Sequence, residues 1–401
     1  MIPNIKAVHP FPARMAPSIV WDRLPNSNPP LKILDPMAGS GTTLAIARSK
    51  GHFAYGVDRD PLAVIIAKAW CCNIDSKKLR TKADEVLEKA KKTAKLLNSD
   101  TAFPSSSDKE TKEFIKYWFD LKNRKQLAAL SKHIVLVRDE TLRMFLWTAF
   151  SRMIITKKTG VSLAMDISHS RPHKVYKKAP VTPFEIFLKA IEKVIKANPF
   201  SVYRRKYPKA TILCGDSRKL SFRDNFFDLV ITSPPYLNAI DYLRGHKLSL
   251  VWMKNSIEKI RKLRTTNIGA EVQSCLPDEK HIMEAAKASG AIDKLTSRQR
   301  GFLIRYIIDM NSVCSEIARV LKPKGKVIYV VGDSIIKSVF VRNSKVVRSL
   351  SEHHKLEFVS IEDRTLPANR RYLPPPSNEG AGKQLQSRMR KEVILIMKKS
   401  C

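Results

Sequence analysis

The chain is short of acid above all. Its 401 residues hold 37 Asp+Glu against 73 Lys+Arg, a formal net charge of +36. Such an excess repels itself unless a polyanion neutralises it, which makes nucleic acid the natural partner. An anionic membrane surface, or a basic soluble protein without such a partner, is the competing explanation of the charge. Long apolar runs are also missing. The longest mostly apolar stretch, Leu62 to Ile74, contains Lys68 and is too short to span a bilayer. Residues 1–20 carry no apolar core of signal-peptide length. Paired cysteine spacings are absent too: Cys71, Cys72, Cys214, Cys275, Cys314 and Cys401 form no C-x-x-C. That pattern fits a reducing cytoplasm and argues against a zinc ribbon, and no metal centre is expected.

What remains is ordinary for a folded protein, with 43% hydrophobic and 27% charged residues. Short apolar runs at Leu31–Asp35, Phe53–Asp58, Thr211–Cys214, Asp228–Thr232 and Lys326–Val331 read as strands buried on both faces. Helix-period stretches, Thr43–Lys50 and Leu62–Trp70, lie between some of them. The alternation predicts an α/β fold, a mainly parallel sheet with helices on both faces. Leu356–Arg364 and Lys391–Lys398 read as two further strands, joined by a polar segment containing Pro374-Pro375-Pro376. Two stretches break the pattern, and both are read as mostly helical insertions. The expected parts are 1–74 for cofactor binding, 75–206 as a helical insertion, 207–253 for catalysis, 254–304 as a second insertion and 305–401 as the rest of the domain.

The loop Asp35-Pro36-Met37-Ala38-Gly39-Ser40-Gly41-Thr42-Thr43 follows the first strand and precedes a helical pattern. Gly39 and Gly41 let the backbone approach a ligand closely, and Ser40 to Thr43 are placed to cap the helix start. Here again absences matter. Thr42 stands where a P-loop would have its lysine, and Leu44 takes the third glycine position of a dinucleotide fingerprint. The loop therefore points to a nucleotide-like cofactor of another kind. The next strand ends in Asp58, placed to accept two ribose hydroxyls. A helix cap is the plainer role, and Asp60 before Pro61 is as well placed to supply it.

A later strand runs directly into Ser233-Pro234-Pro235-Tyr236. Two prolines at a strand end force an extended backbone whose first carbonyl cannot enter the ladder. Ser233 adds a side-chain oxygen, and Tyr236 a flat ring for stacking on a base. An exocyclic amine of a base is a poor nucleophile because its lone pair is delocalised. Hydrogen bonds accepted by the Ser233 side chain and the Pro234 carbonyl return density to that nitrogen and favour in-line attack on a sulfonium methyl. The chain has no Pro-Cys dipeptide, the nucleophile expected for attack on a cytosine carbon. Inside a duplex the amine is out of reach, so the base must be rotated out. Taken alone, the tetrapeptide is equally a proline turn without consequence.

In combination these motifs resemble those of the prokaryotic site-specific DNA amino-methyltransferases, the cytosine-N4 and adenine-N6 family. Asp35–Thr43 resembles their D-P-x-x-G-S-G-T loop, and Thr232–Tyr236 the T-S-P-P-Y form typical of cytosine-N4 enzymes. His9-Pro10-Phe11-Pro12-Ala13-Arg14 is similar to the segment covering the methionine end of the cofactor. Asp216, with Ser217 beside it, falls where an acid near the adenine ring is expected. Val320–Lys326 is similar to the helix-turn before the fifth strand.

The resemblance implies a class I S-adenosylmethionine-dependent methyltransferase fold: Rossmann-like, seven-stranded and mainly parallel, with an antiparallel last strand. S-Adenosyl-L-methionine is the implied cofactor, held by Phe11, Pro12, Asp35, Pro36, Ala38, Gly39, Ser40, Gly41, Thr42, Asp58, Asp216 and Ser217. The implied reaction is methylation of cytosine N4 in double-stranded DNA, with adenine N6 as the alternative. An RNA base methyltransferase and an inactive DNA-binding subunit are further rivals. A cytoplasmic, nucleoid-associated enzyme with a cognate restriction endonuclease as functional counterpart completes that expectation. One departure stands out: about 150 residues separate Asp58 from the strand before Asp216, a longer path than the family pattern has.

Arg171 and His173, Arg244 and Lys247, and Arg370 and Arg371 are the candidate DNA contacts. The segment His169–Lys174 also permits a metal reading, which Pro172 disfavours, or a plain solvated loop. Asp241–Lys247 is equally read as a base-pocket wall, a backbone clamp or the first turn of a structural helix. Cys71-Cys72 beside Trp70 reads as buried packing.

Overall fold

Strands form where the sequence can bury both faces of an extended chain. In the computed structural model the central strands do so, within a sheet of seven: β1 (Lys32–Asp35), β2 (Phe53–Asp58), β3 (Ala210–Cys214), β4 (Phe227–Thr232), β5 (Leu321–Val331), β6 (Leu356–Thr365), which is mostly exposed, and β7 (Lys391–Lys399). The structure describes residues 5–12, 14–157, 159–165, 167, 172–200, 207–237, 242–269, 279–336, 339–366 and 391–401. The expected Pro374–Pro376 connection lies outside them.

The seven strands make one sheet in the order β3-β2-β1-β4-β5-β7-β6. Neighbours from β3 to β5 pair in parallel, and β7 is antiparallel to both β5 and β6. Alternate residues feed two separate cores. Ile33, Leu229, Ile231, Ile328 and Val330 belong to one, and Leu34, Val230, Val327, Tyr329 and Val331 to the other. Central strands covered on both sides in this way explain the near-continuous apolar runs read from the sequence. The strand expected to follow the Val320–Lys326 turn instead begins within it. Phe227 pairs with Leu321 but Leu229 with Lys326, so the residues between loop out as a bulge, with Lys324 at φ 63°.

Thirteen α-helices accompany these strands among the described residues. Those of the first half are α1 (Pro17–Arg23), α2 (Thr42–Ser49), α3 (Pro61–Cys71), α4 (Ser76–Leu96), α5 (Lys109–Trp118), α6 (Leu121–Val135), α7 (Glu140–Ile154) and α8 (Pro183–Ala197). Four successive starts carry the same device. Asp75, Asp108, Asp120 and Asp139 each accept hydrogen bonds from backbone N–H groups of the first turn of α4, α5, α6 and α7. Such caps favour a helix where charge-rich sequence offers only one apolar stripe, as in α4, which buries Leu79, Ala83, Val86, Leu87 and Ala90. The stretch between α3 and β3 is thus mainly helical, as its composition implied. The remaining helices are α9 (Tyr242–Leu250), α10 (Ile257–Thr265), α11 (Lys280–Ala288), α12 (Ser297–Val320) and α13 (Asn343–His353). No helix of the described residues is long and apolar enough to cross a membrane.

The added helices are joined to the sheet at particular places. Asn198, just after α8, donates from Nδ2 to the carbonyls of Ala69 (2.8 Å) and Cys72 (3.0 Å) at the end of α3. Ser131 of α6 donates to the Trp252 carbonyl at 2.6 Å, beyond α9. Most important for the site, α7 holds the N-terminal segment. His9 Nε2 lies 3.0 Å from Ser151 Oγ, and Arg152 donates to the Val8 carbonyl at 2.9 Å. Cys71 is buried against the α3 core and Cys72 is half-buried, as the packing role required.

Candidate active site

In an open parallel sheet, ligands bind beyond the carboxyl ends of the strands where the order reverses. Here that point lies between β1 and β4, and both candidate loops leave from it. A hydrogen bond joins them: Thr232 Oγ1, at the end of β4, donates to Asp35 Oδ1, at the end of β1, at 2.8 Å. Asp35 Oδ1 also accepts from the Met37 N–H at 3.2 Å. With 3% of its surface exposed, Asp35 sits beneath the loop as its anchor. Burial pushes its carboxyl up to about 6, against the hydrogen bonds from Thr232, Thr43 and Met37.

The loop itself needs its glycines. Gly41 has φ 89°, and a Cβ there would lie 2.9 Å from the Ala67 Cβ of α3. It is also the residue that begins α2, without a side-chain cap; Ser40 and its neighbours do not supply the expected one. Gly39 has φ 51°, and its open side faces Phe11, whose Cε1 would be 3.6 Å from an added Cβ. The Phe11 ring therefore lies against the glycine loop.

Asp58 ends β2 beside this loop. Its Oδ2 accepts from the Gly39 N–H at 2.7 Å and its Oδ1 from the Asp60 N–H at 2.9 Å. A carboxylate has about four acceptor positions, so two remain. Burial, then the charges of Asp60 and Asp35, push its carboxyl up to about 7 despite those two backbone bonds. The helix cap falls to Asp60, whose Oδ1 accepts from the Leu62 N–H at 2.9 Å. A nucleoside fits this cradle: loop N–H groups at a helix start, spare acceptor positions on an acid, and an aromatic ring above.

Asp216 is held differently. Arg218 wraps around it, donating from its backbone N–H (3.0 Å), Nε (3.0 and 3.2 Å) and Nη2 (2.8 Å), and Arg59 pairs with its Oδ2. Burial raises its carboxyl, but Arg218 and Arg59 outweigh that and hold it below its ordinary value. Arg218 reaches on to Asp309 of α12 at 2.6 Å and to the Thr266 carbonyl at 2.9 Å. Sequence reasoning missed both arginines. Their adjacency to Asp58 and Asp216 was the available signal. Ser217, next to this cluster, is buried.

Ser233 leaves the end of β4 and donates from Oγ to the Val330 carbonyl of β5 at 3.0 Å. Its proton is thereby committed, and the oxygen's lone pairs are left to accept. Pro234, Pro235 and Tyr236 continue outside any strand or helix.

Among the candidate DNA contacts, Arg171, Arg370 and Arg371 lie outside the described residues. His173 is exposed in a two-residue ladder with Ala164–Met165. Arg244 and Lys247 lie on α9, which makes Asp241–Lys247 at least partly a structural helix. One helix brings the two groups toward each other: Lys174 Nζ is 4.8 Å from the Tyr117 ring and Lys247 Nζ 5.1 Å from the Phe114 ring, both on α5. Among the described residues no cluster of His, Cys, Asp and Glu has the makings of a metal site.

No family model matches the sequence. It is 24% identical to Type II methyltransferase M.MvaI of Kocuria varians over a 427-residue alignment covering 97% of this chain and 90% of that protein. It is 25% identical over 269 residues to Type II methyltransferase M.BsoBI of Geobacillus stearothermophilus, covering 60% of this chain and 51% of the relative. A Methanosarcina mazei structure of the SAM-dependent methyltransferases superposes with TM-score 0.35 at 9% identity, covering 97% of this chain and 99% of the other. A candidate DNA modification methylase from Thermus thermophilus gives TM-score 0.24 at 16% identity, covering 47% and 51%. The strand order, with one antiparallel strand between two parallel neighbours, decides the architecture: the chain has the class I S-adenosylmethionine-dependent methyltransferase fold.

Proposed function

We propose that the chain is a site-specific DNA methyltransferase that uses S-adenosyl-L-methionine and transfers its methyl group to the exocyclic N4 amine of cytosine. The observation carrying this reading is the Thr232–Asp35 hydrogen bond, which sets the Ser233–Tyr236 loop against the glycine loop. The resemblance over most of its length to a type II methyltransferase supports the methyltransferase part of this reading.

The bound cofactor supplies an electrophilic methyl on sulfonium. Asp58 offers its spare acceptor positions to the ribose hydroxyls, and Ser40, Gly41 and Thr42 line the turn beside it. Pro36 and Ala38 shape the loop, and Phe11 and Pro12 cover it. Asp216 and Ser217 mark the adenine end, with Arg59 and Arg218 fixing the acid.

On the substrate side, Ser233 donates to the Val330 carbonyl and so presents lone pairs to the amine. The Pro234 carbonyl takes the second amine hydrogen, Pro235 stiffens the turn and Tyr236 stacks on the rotated base. Both acceptors raise the nucleophilicity of nitrogen as the carbon–sulfur bond breaks and the nitrogen–carbon bond forms. The proton lost afterwards leaves to solvent.

His173, Arg244 and Lys247, together with Arg171, Arg370 and Arg371, belong to the DNA face, and the helices of 75–206 and 254–304 are the candidate readers of sequence. A cognate restriction endonuclease is the expected functional counterpart.

Product analysis tests the reaction. DNA treated with the enzyme should contain 4-methylcytosine; 6-methyladenine instead would move the assignment to the adenine-N6 branch. Ser233→Ala should lower kcat about 100-fold, the scale for losing one such preorganised contact. Activity equal to wild type would remove Ser233 from the mechanism.

A further inference from the structure

Resting on the cofactor site just described, we infer that His246 is a positioning residue that holds the ribose-binding acid and the N-terminal cover in register from the substrate side. It stands on α9, the helix that follows the Ser233–Tyr236 loop, and its side chain is 1% exposed. Two structures that enclose the cofactor loop meet on this one ring.

On one side, His246 Nδ1 pairs with Asp60 Oδ2. Asp60 is itself fixed twice: its Oδ1 caps α3 through the Leu62 N–H, and its own N–H donates to Asp58 Oδ1 at 2.9 Å. Asp58 in turn grips the Gly39 N–H at 2.7 Å. On the other side, the imidazole meets the Phe11 ring with centroids 4.9 Å apart and planes at 52°. Phe11 is the ring that faces Gly39. His246 is thus the closing link of a circuit running Gly39, Asp58, Asp60, His246, Phe11 and back to Gly39.

A buried histidine that only filled space would need neither contact. Here the ring orients a carboxylate that orients the binding carboxylate, much as outer-shell partners orient metal ligands. Removing the Nδ1 donor frees the Asp60 side chain and loosens the turn presenting Asp58.

The test uses S-adenosyl-L-homocysteine as the probe, with its dissociation constant measured by calorimetry on the full chain. His246→Leu should raise that constant about tenfold, on the scale of one lost outer-shell contact. It should raise KM for S-adenosyl-L-methionine similarly while leaving kcat within threefold. His246→Asn keeps a donor near the Nδ1 position and should bind within threefold of wild type. Wild-type binding by His246→Leu, or equal losses in the Leu and Asn variants, would overturn the inference. Should His246→Leu not fold, Asp60→Asn takes its place: the amide keeps an acceptor for the α3 cap but removes the charge facing His246. Weaker probe binding is then expected, and unchanged binding overturns the inference. A wild-type protein that binds no probe overturns the cofactor reading itself, an outcome distinct from a silent His246 variant.

Discussion

Asp58 ends β2 and Asp216 lies two residues beyond the neighbouring β3, and the sequence presents them alike: a short apolar run, then an acid. Their surroundings make them opposites. Asp58 is held by two backbone N–H groups and crowded by Asp60 and Asp35, so burial drives its carboxyl up to about 7. Asp216 is clasped by two arginines and held below its ordinary value. Neutral donors leave a carboxylate hungry for further hydrogen bonds, whereas guanidinium groups satisfy it. The first acid is prepared for a ligand. The second is riveted in place, the turn after β3 being tied to α12 through Arg218 and Asp309. An acid at a strand tip is therefore not one kind of signal; its partners decide what it does.

The largest effect that sharpens this contrast is on binding. Asp58→Asn should weaken S-adenosyl-L-homocysteine about 100-fold, roughly 2.7 kcal/mol, because an amide has one acceptor oxygen and presents N–H groups to the ribose and the loop. The melting temperature of the free protein should fall less than in Arg218→Met, because the loop hydrogen bond that the amide loses is offset by removal of a buried, crowded charge. Calorimetric titration and a thermal melt read both, and equal binding by variant and wild type would break the comparison.

Arg218→Met should do the reverse. It leaves Asp216 with Arg59 alone and the 4%-exposed Asp309 side chain with only Arg305. Breaking a partly buried pair from one side strands the other charge, so a loss of about 2 kcal/mol of stability is expected in urea melts. Probe affinity should change less than in Asp58→Asn. If affinity collapses while stability holds, Arg218 serves the ligand through Asp216 and not the packing of α12, and the contrast with Asp58 fails.

The contrast also marks where sequence reading succeeded and where it stopped. The strand runs were legible because both faces of the central strands are buried, which writes an uninterrupted apolar signal. The glycine loop was legible because left-handed backbone at Gly39 and Gly41 admits few other residues. Which of Asp58 and Asp60 caps the next helix stayed open in the sequence, and the structure gives the cap to Asp60. What stayed hidden was every partnership across long separations. Asp309 lies 91 residues from Arg218, Val330 lies 97 from Ser233, and Thr232 lies 197 from Asp35. Such pairs are created by the strand order, and no local spacing announces them. Arg218 was the exception, readable two residues after the acid it wraps.

A smaller effect follows from the direction of the two pKa shifts. Asp58 must be ionised to accept ribose hydroxyls, so probe affinity should fall as pH drops through about 7, approaching tenfold per unit below it. Free-protein stability should move the other way. With folded values near 7 and 6 against about 4 unfolded, Asp58 and Asp35 bind protons in the native state first. Between about pH 4 and 7 the native state holds the extra protons, so their contribution to stability declines as pH rises. Comparing melts of wild type and Asp58→Asn at pH 5.5 and 7.5 isolates this contribution from the repulsion of the +36 net charge. A variant whose pH dependence matches wild type would remove the raised pKa from the description of the site.

Asp35→Asn should give the smallest change, and the reason lies in which oxygen is used. The hydrogen bonds to Asp35 from Thr232 Oγ1 and the Met37 N–H both end on Oδ1. An amide oxygen in that place accepts both, so the bond between the two loops survives. What the amide removes is a buried negative charge whose burial is unfavourable at neutral pH. The variant should therefore be as stable as wild type at pH 7.5 or slightly more so, bind the probe within threefold, and keep most of its kcat. Asp35→Ala removes the acceptor instead and should lower kcat about tenfold, because Thr232 then no longer fixes the start of the Ser233 loop. Equal losses in the Asn and Ala variants would show that the charge of Asp35, rather than its oxygen, serves the reaction. Asp35 would then belong with Asp58 among the acids that meet the ligand.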